Sequence, residues 1–147
     1  MSGCAHVVSE ELRKEASADI SMSVLFKDPD SYIGEIVILG GNIVSSINTE
    51  NETYIEMIEK PLNSRGRPEY TDISRGRFII IYEGFLDTAI FSKGRYVTVA
   101  GEVMGKEIRP LDEIDYTYLV IKSRELHLLQ PGSQFPIQFG IGIWHTF

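Results

Sequence analysis

The chain has one cysteine, no long apolar run and no recognisable catalytic motif. A single cysteine among 147 residues excludes an internal disulfide framework and a multi-cysteine zinc site. No stretch approaches the ~20 consecutive apolar residues of a transmembrane helix. The three histidines are scattered, and neither a phosphate-binding P-loop nor a nucleophile elbow is present. We therefore expect no metal, no cofactor and no enzyme activity.

Positive charge is also scarce, with 14 Lys and Arg against 21 Asp and Glu and a net charge of −7. Such a chain repels the phosphate backbone, which makes general nucleic-acid binding an unfavourable interpretation. Hydrophobic residues make up 43% of the chain, enough for one buried core at this length. The composition indicates one globular domain of ordinary polarity.

From Leu25 onward, Ile- and Val-rich segments bounded by turn residues predict five strands. Gly40 and Gly41 suit a bend or bulge in the first strand, and Phe85–Phe91 suits a short helix or turn that plugs an opening. The order of three strands, a connecting element and two strands predicts an all-β fold, a small five- to six-stranded OB-like barrel with a short helix. A β-sandwich stays open as the alternative, because strand spacing does not determine pairing. The predicted strands are Glu35–Ile47, Thr53–Glu59, Gly76–Tyr82, Arg95–Val103 and Tyr116–Leu129.

The start of the chain, Ser2-Gly3-Cys4, has the small residues before a cysteine that are typical of a lipoprotein signal-peptide cleavage site. The hydrophobic part of such a signal does not precede it, so we expect that part to have been cut away. The alternative is an unpaired cysteine in a flexible tail. We expect residues 1–23 to form the lipid-anchor cysteine and a tether, although Val8 and Leu12 have the spacing of a short helix against the barrel.

We expect residues 24–130 to form the barrel and residues 131–147 to form an apolar, aromatic C-terminal tail. Apolar residues occupy every second position from Phe135 to Ile143, including Phe139, and Trp144 follows. Such a stripe packs on its own barrel or on a partner copy. The alternative is contact with the bilayer interface, where Trp and Phe are common.

The long connection between the second and third strands is rich in arginine. Guanidinium groups bind phosphates bidentately, which predicts contact with a lipid phosphate, with lipopolysaccharide or with a nucleic acid. The alternative is that Glu69 and Asp72 pair with these arginines and order the loop. The candidate ligand or partner contacts are Arg65, Arg67, Arg75 and Arg77.

Several blocks of sequence, in order, resemble the Slp family of outer-membrane lipoproteins. Leu39 stands where that family usually has Trp, and the region 106–115 departs from its usual glycine-rich loop. The resemblance covers Val24 to about Leu129. Its blocks are DPDSYIG (28–34), ILGGNI (38–43), EKPL (59–62), RGRP (65–68), DISRGRF (72–78), GFLD (84–87) and KGRYVTVAGEVMG (93–105).

The resemblance implies that Cys4 carries acyl chains and that the mature domain is held at the bacterial outer membrane, facing the periplasm. It also implies a role in the stress or starvation response and in envelope stabilisation, and it supplies no catalytic residues. We expect a non-enzymatic lipoprotein that binds an envelope protein or glycan, or a second copy of itself. The alternative is an OB-type binding module for oligosaccharide or single-stranded nucleic acid.

In OB barrels, bases stack on aromatic side chains, whereas here we expect most aromatic residues to be core. The barrel-region aromatics are Tyr54, Tyr70, Phe78, Tyr82, Phe85, Phe91, Tyr96, Tyr116 and Tyr118.

Overall fold

A computed structural model describes residues 5–17 and 19–129. Two short helices, α1 (Glu10–Glu15) and α2 (Met22–Lys27), and a 3₁₀ helix (Pro29–Tyr32) precede the strands. No helix in these ranges has the length and apolar character to cross a membrane. The strands are β1 (Ile36–Asn48), β2 (Glu52–Glu59), β3 (Arg77–Glu83), β4 (Tyr96–Leu111) and β5 (Ile114–Leu129).

The five strands close into one barrel in the order β1-β2-β3-β5-β4, with β4 pairing back to β1. All neighbours are antiparallel except β3 and β5, which run parallel over Phe78–Ile81 and Leu119–Lys122. This is the five-stranded barrel of the OB class, in which each strand pairs with two neighbours. The predicted OB-like barrel is confirmed, and the sandwich alternative is wrong.

Alternating apolar side chains fill the barrel, and separate segments close its two ends. Leu25 of α2 is completely buried at one end, where Phe26 packs edge-on against Phe78. Leu86 and Phe91 are buried at the other end. Phe85–Phe91, which contains both side chains, was predicted as a helix or turn that plugs an opening. It is a loop with a turn at residues 88–90. Burying each such side chain contributes about 1.5–3 kcal/mol.

The paired glycines lie where β1 changes its partner. Gly41 pairs with Val97 of β4 and with Glu59 of β2, and a Cβ added to it would lie 1.9 Å from the Ile58 carbonyl oxygen. No residue other than glycine fits between the two neighbouring strands there. The β-bulge itself follows between Ile43 and Ser45, slightly beyond the predicted position.

The β4–β5 hairpin is longer than predicted. β4 continues past Val103 to Leu111, and Asp112, with φ of 57°, turns the chain into β5. The extension, residues 106–111, projects from the barrel, and its side chains are exposed or half-buried. Its residues therefore do not alternate between apolar and polar, which is the pattern that predicts a strand. Pro110 is also unfavourable in a strand.

The segment before the barrel also differs from the predicted tether. Val8 and Leu12 are buried against Ala100, Ile36 and Ile38 on the outside of the barrel. Ser9 caps α1, and its side chain accepts the N–H of Leu12. Residues 5–17 therefore follow the packed-helix alternative. Residues 22–27, which span the predicted boundary between tether and barrel, form helix α2, which was not predicted.

Candidate functional site

The candidate site is built around the connection between β2 and β3, residues 60–76, which we call the arginine loop. It contains Arg65, Arg67 and Arg75, and Arg77 follows as the first residue of β3. The structure divides these four residues into two pairs with different surroundings.

Arg75 and Arg77 form ion pairs with acidic residues of β2. The Arg75 guanidinium lies 3.3 Å from Glu59 Oε2, and its backbone N–H donates to Glu59 Oε1 at 2.8 Å. Arg77 Nη1 donates to Glu56 Oε2 at 2.8 Å. The acidic partners are thus Glu56 and Glu59. The alternative interpretation, that Glu69 and Asp72 pair with these arginines, named the wrong acids. Within residues 5–17 and 19–129 neither of them forms an ion pair.

Two tyrosines from β5 complete the surroundings of Arg77. The Tyr118 hydroxyl donates to Glu56 Oε2 at 2.9 Å, and the Tyr116 hydroxyl accepts the backbone N–H of Arg77 at 3.1 Å. Burial, followed by the hydrogen bond to Glu56, raises the pKa of Tyr118. Arg77 is therefore held in place by the barrel wall and is a poor candidate for contact with a ligand.

Arg65 and Arg67 lie at the exposed tip of the loop. Asn63 fixes their backbone, because its side-chain Oδ1 accepts the N–H of Arg65 at 2.9 Å and of Arg67 at 3.0 Å. Gly66 between them has a φ of 80°, which glycine adopts without strain. In the described part of the chain neither guanidinium makes an ion pair or hydrogen bond. The tip combines an ordered backbone with two available cations.

The N-terminal segment lies directly on this tip. Val7 N–H donates to the Arg65 carbonyl at 2.9 Å, and the His6 ring contacts Gly66 so closely that a Cβ there would lie 2.3 Å from His6 Cε1. From the other side, the buried Thr98 hydroxyl of β4 donates to the Gly66 carbonyl at 2.6 Å. We call residues 5–9 the docked segment.

Three further groups hold the docked segment on the barrel. The Ser9 N–H donates to Glu125 Oε2 at 2.9 Å, and His127 Nε2 lies 2.6 Å from the same oxygen. Arg13 Nε donates to the Val8 carbonyl at 3.0 Å. Burial raises the pKa of Glu125, but its hydrogen bonds to His127 and Ser9 outweigh this, and the pKa is lowered overall. The sequence carries no local signal for this cluster, because Ser9 and Glu125 are 116 positions apart.

An open cleft of about 360 Å³ lies where β3 and β5 diverge. Beyond Lys122, β5 no longer pairs with β3. The cleft is lined by Tyr82, Glu83 and residues 123–127. No group of three or more His, Cys, Asp or Glu side chains in the described ranges is arranged to hold a metal ion.

The aromatic residues of the barrel region are less buried than predicted. Phe78, Phe91 and Tyr118 are core, whereas Tyr70 and Phe85 are about three-quarters exposed. The other four are half-buried. Cys4, Phe139 and Trp144 lie outside the described residues, so the expectations for them stay predictions.

Comparison with known proteins assigns the chain to a family. Residues 1–138 match the outer membrane lipoprotein Slp family, and the chain belongs to that family. The predicted resemblance is confirmed. Family membership supports an outer-membrane location.

The curated relatives are longer than this chain. It is 36% identical over 86 residues to an uncharacterized protein of Haemophilus influenzae, covering 58% of this chain and 46% of the relative. It is 29% identical over 122 residues to the uncharacterized lipoprotein YeaY of Escherichia coli, covering 83% and 63%. It is 23% identical over 140 residues to the outer membrane protein Slp of E. coli, covering 94% and 66%. The chain thus spans about half to two thirds of these relatives.

Two solved structures of single-stranded DNA-binding proteins are distantly similar. One is the small protein from Streptomyces coelicolor, at 12% identity and a TM-score of 0.44, covering 68% of this chain and 98% of that one. The other is mitochondrial Rim1 from S. cerevisiae, at 15% identity and a TM-score of 0.42, covering 68% and 99%. Similarity at this level says nothing about what the present chain binds.

The division of the arginines predicts different effects on stability. Arg75→Ala leaves the Glu59 carboxylate, which is 2% exposed, without its cation. We expect the free energy of unfolding to fall by about 1–3 kcal/mol in urea denaturation of the full chain. Arg67→Ala, at an exposed position of the same loop, is the matched control and should change it by less than about 0.5 kcal/mol. Equal losses of stability in the two variants would contradict the conclusion that Arg75 pairs with a buried carboxylate and Arg67 does not.

Docking of the N-terminal segment should weaken in mild acid. Burial and the neighbouring Arg13 lower the pKa of His6 below its ordinary value of 6.5, so docking is fully stabilised above that value and loses stability as the pH falls below it. Glu125 acts at lower pH, because its lowered pKa affects stability only below about 4.5. Between about pH 7.5 and 5.5, the hydrogen-exchange protection factor of the Val7 amide should therefore fall as His6 is protonated.

The control for this experiment is His6→Gln, which cannot be protonated in that range. We expect its Val7 protection factor to fall less over that range than in the wild-type chain, while the amide of Ile55 in the barrel core is protected equally in both chains. The same pH dependence in His6→Gln would show that His6 is not the responsible group.

Proposed function

We propose that this chain is a non-enzymatic lipoprotein of the outer membrane, acylated at Cys4 and facing the periplasm. Its barrel binds another envelope component or a second copy of itself, in a stress- or starvation-related role that stabilises the envelope. Family membership supports the class and the location, and the molecular role is argued from the docked segment.

The observation that carries the proposal is that the chain is already folded against the barrel immediately after Cys4. Val8 is 1% exposed, and the Val7 N–H is bonded to the Arg65 carbonyl. An acyl chain on Cys4 would therefore hold the barrel against the membrane surface rather than at the end of a long tether. This geometry suits a protein that acts on components of the membrane surface.

The titratable groups beside the docked segment support a structural role over a catalytic one. Glu125 is hydrogen-bonded to Ser9 and to His127, and the His6 ring packs on Gly66. A general base needs an oxygen that is free to accept a proton from a substrate. Glu125 lines the cleft between β3 and β5, but its Oε2 already accepts the Ser9 N–H and lies 2.6 Å from His127 Nε2. Here the carboxylate is already occupied by contacts that attach one part of the chain to another.

A second candidate function, oligosaccharide binding, is favoured by the cleft between β3 and β5. Its volume is at the lower end of the range for small-ligand sites. Tyr82 supplies an aromatic surface. Glu83 and Glu125 make the lining unfavourable for the phosphates of a nucleic acid, and the basic lining residue Arg124 is paired with Glu15. Among the ligands of an OB-type module, a neutral sugar chain therefore fits better than single-stranded DNA.

Acylation is tested by the intact mass and membrane fractionation of the protein produced from its full-length gene. We expect an acyl-sized mass increase and outer-membrane recovery, because fatty chains bind the bilayer at ~0.8 kcal/mol per buried CH₂. Cys4→Ala should abolish both, and Ser45→Ala in β1 should change neither. An unmodified, unsedimented wild-type product would overturn the proposal.

The second candidate is tested by titrating the Cys4→Ala chain with neutral N-acetylglucosamine oligosaccharides and with single-stranded DNA at ~150 mM salt. If the first proposal is the whole function, we expect no measurable binding of either probe. Saturable sugar binding that is lost in Tyr82→Ala but kept in Phe85→Ala would establish the cleft as a glycan site. Phe85 is the matched control, because it is an exposed aromatic residue outside the cleft.

A further inference from the structure

We propose that Arg65 and Arg67 bind the phosphate groups of anionic phospholipids in the leaflet that holds the anchor. This inference rests on the proposed membrane attachment through Cys4 and adds a second, electrostatic contact between the barrel and the lipid surface. It assigns the tip of the arginine loop, residues 62–68, as the membrane-facing surface of the protein.

The anchor position and the tip of the arginine loop are close together. Val7 is hydrogen-bonded to Arg65, and Cys4 precedes Val7 by three residues. Three fully extended residues span at most about 10–11 Å. With the 2.9 Å hydrogen bond added, the Cys4 backbone lies within about 14 Å of the loop backbone, and an acyl chain on Cys4 would bring both arginines close to the headgroups of the same leaflet.

The two arginine side chains at the tip are suited to binding phosphate. A guanidinium group binds a phosphate through two parallel hydrogen bonds, which a lipid phosphate offers as well as a free one. Both guanidinium groups are exposed, and Asn63 already fixes the backbone that carries them. Little ordering of the loop is then required when a phosphate binds.

The charges near the tip matter more for its approach to a membrane than the net charge of the chain. The net charge of −7 opposes approach to an anionic surface, but charges further away than the Debye length of about 8 Å are screened. Near the tip, Arg13 lies against the docked segment, and Glu125 is engaged with Ser9 and His127. Tyr70, in the same loop, is 76% exposed, as is common for tyrosine at a membrane interface.

The test couples the full chain through Cys4, its one cysteine, to a maleimide lipid in vesicles. Vesicles of phosphatidylcholine alone are compared with vesicles that also contain phosphatidylglycerol. We expect hydrogen exchange of the Arg65 and Arg67 amides to slow by about 25-fold on the anionic vesicles, about fivefold for each arginine. Each of Arg65→Gln and Arg67→Gln should remove about fivefold of that protection, the ratio expected for one basic residue near an anionic surface.

Lys93→Gln is the matched control, because this exposed lysine lies in the β3–β4 connection at the opposite end of β3. It should leave the protection unchanged. No slowing on anionic vesicles, or equal losses in Lys93→Gln and Arg67→Gln, would overturn the proposal. Equal slowing by inorganic phosphate on phosphatidylcholine vesicles, at matched ionic strength, would also overturn it in favour of a free-phosphate site.

The coupling makes the two proposals separable. The maleimide lipid replaces the acyl chain, so the exchange experiment reports on the tip whether or not the cell acylates Cys4. Conversely, the mass of the cellular product reports on acylation whether or not the arginines contact lipid.

Discussion

The rest of the candidate site depends on the burial of Val8 and on the hydrogen bond from Val7 to Arg65. Alone, α1 is too short to be stable, since helices of fewer than about 12 residues are marginal in water. Packing of Val8 and Leu12 on the barrel supplies the missing stability. Because this packing fixes residues 5–9, it also limits how far Cys4 can lie from the arginine loop. A membrane anchor at that position would orient the whole barrel, with the arginine loop beside the lipid.

Within the arginine loop, neighbouring acids decide what each cation can do. The Glu59 carboxylate is buried and requires the positive charge of Arg75, since breaking a buried pair leaves an uncompensated charge. Arg65 and Arg67 have no such partner within the described ranges, and exposed cations cost little to leave unpaired. The same residue type thus stabilises the base of the loop and leaves its tip available for binding.

The strands could be predicted from sequence because Thr53–Glu59 alternates and the run from Phe78 is apolar. The end of β4 could not, because residues 106–111 lie outside the barrel and bury no continuous face. The ion pair between Arg75 and Glu59 depends on the register of β2 against β3, which no local pattern encodes. Contacts of the docked segment with Ala100 and Glu125 are formed only after the barrel has closed, so sequence spacing indicated a helix but not its position.

The proposed orientation of the barrel requires that the docked segment is fixed on the arginine loop in solution. The most direct measurement is a nuclear Overhauser effect between the Hε1 proton of His6 and the α-protons of Gly66, recorded at about pH 7.5, where His6 is neutral. The contact between His6 Cε1 and Gly66 predicts a strong signal. Its absence, with the His6 ring showing the narrow resonances of a free tail, would contradict the docked segment and the orientation derived from it.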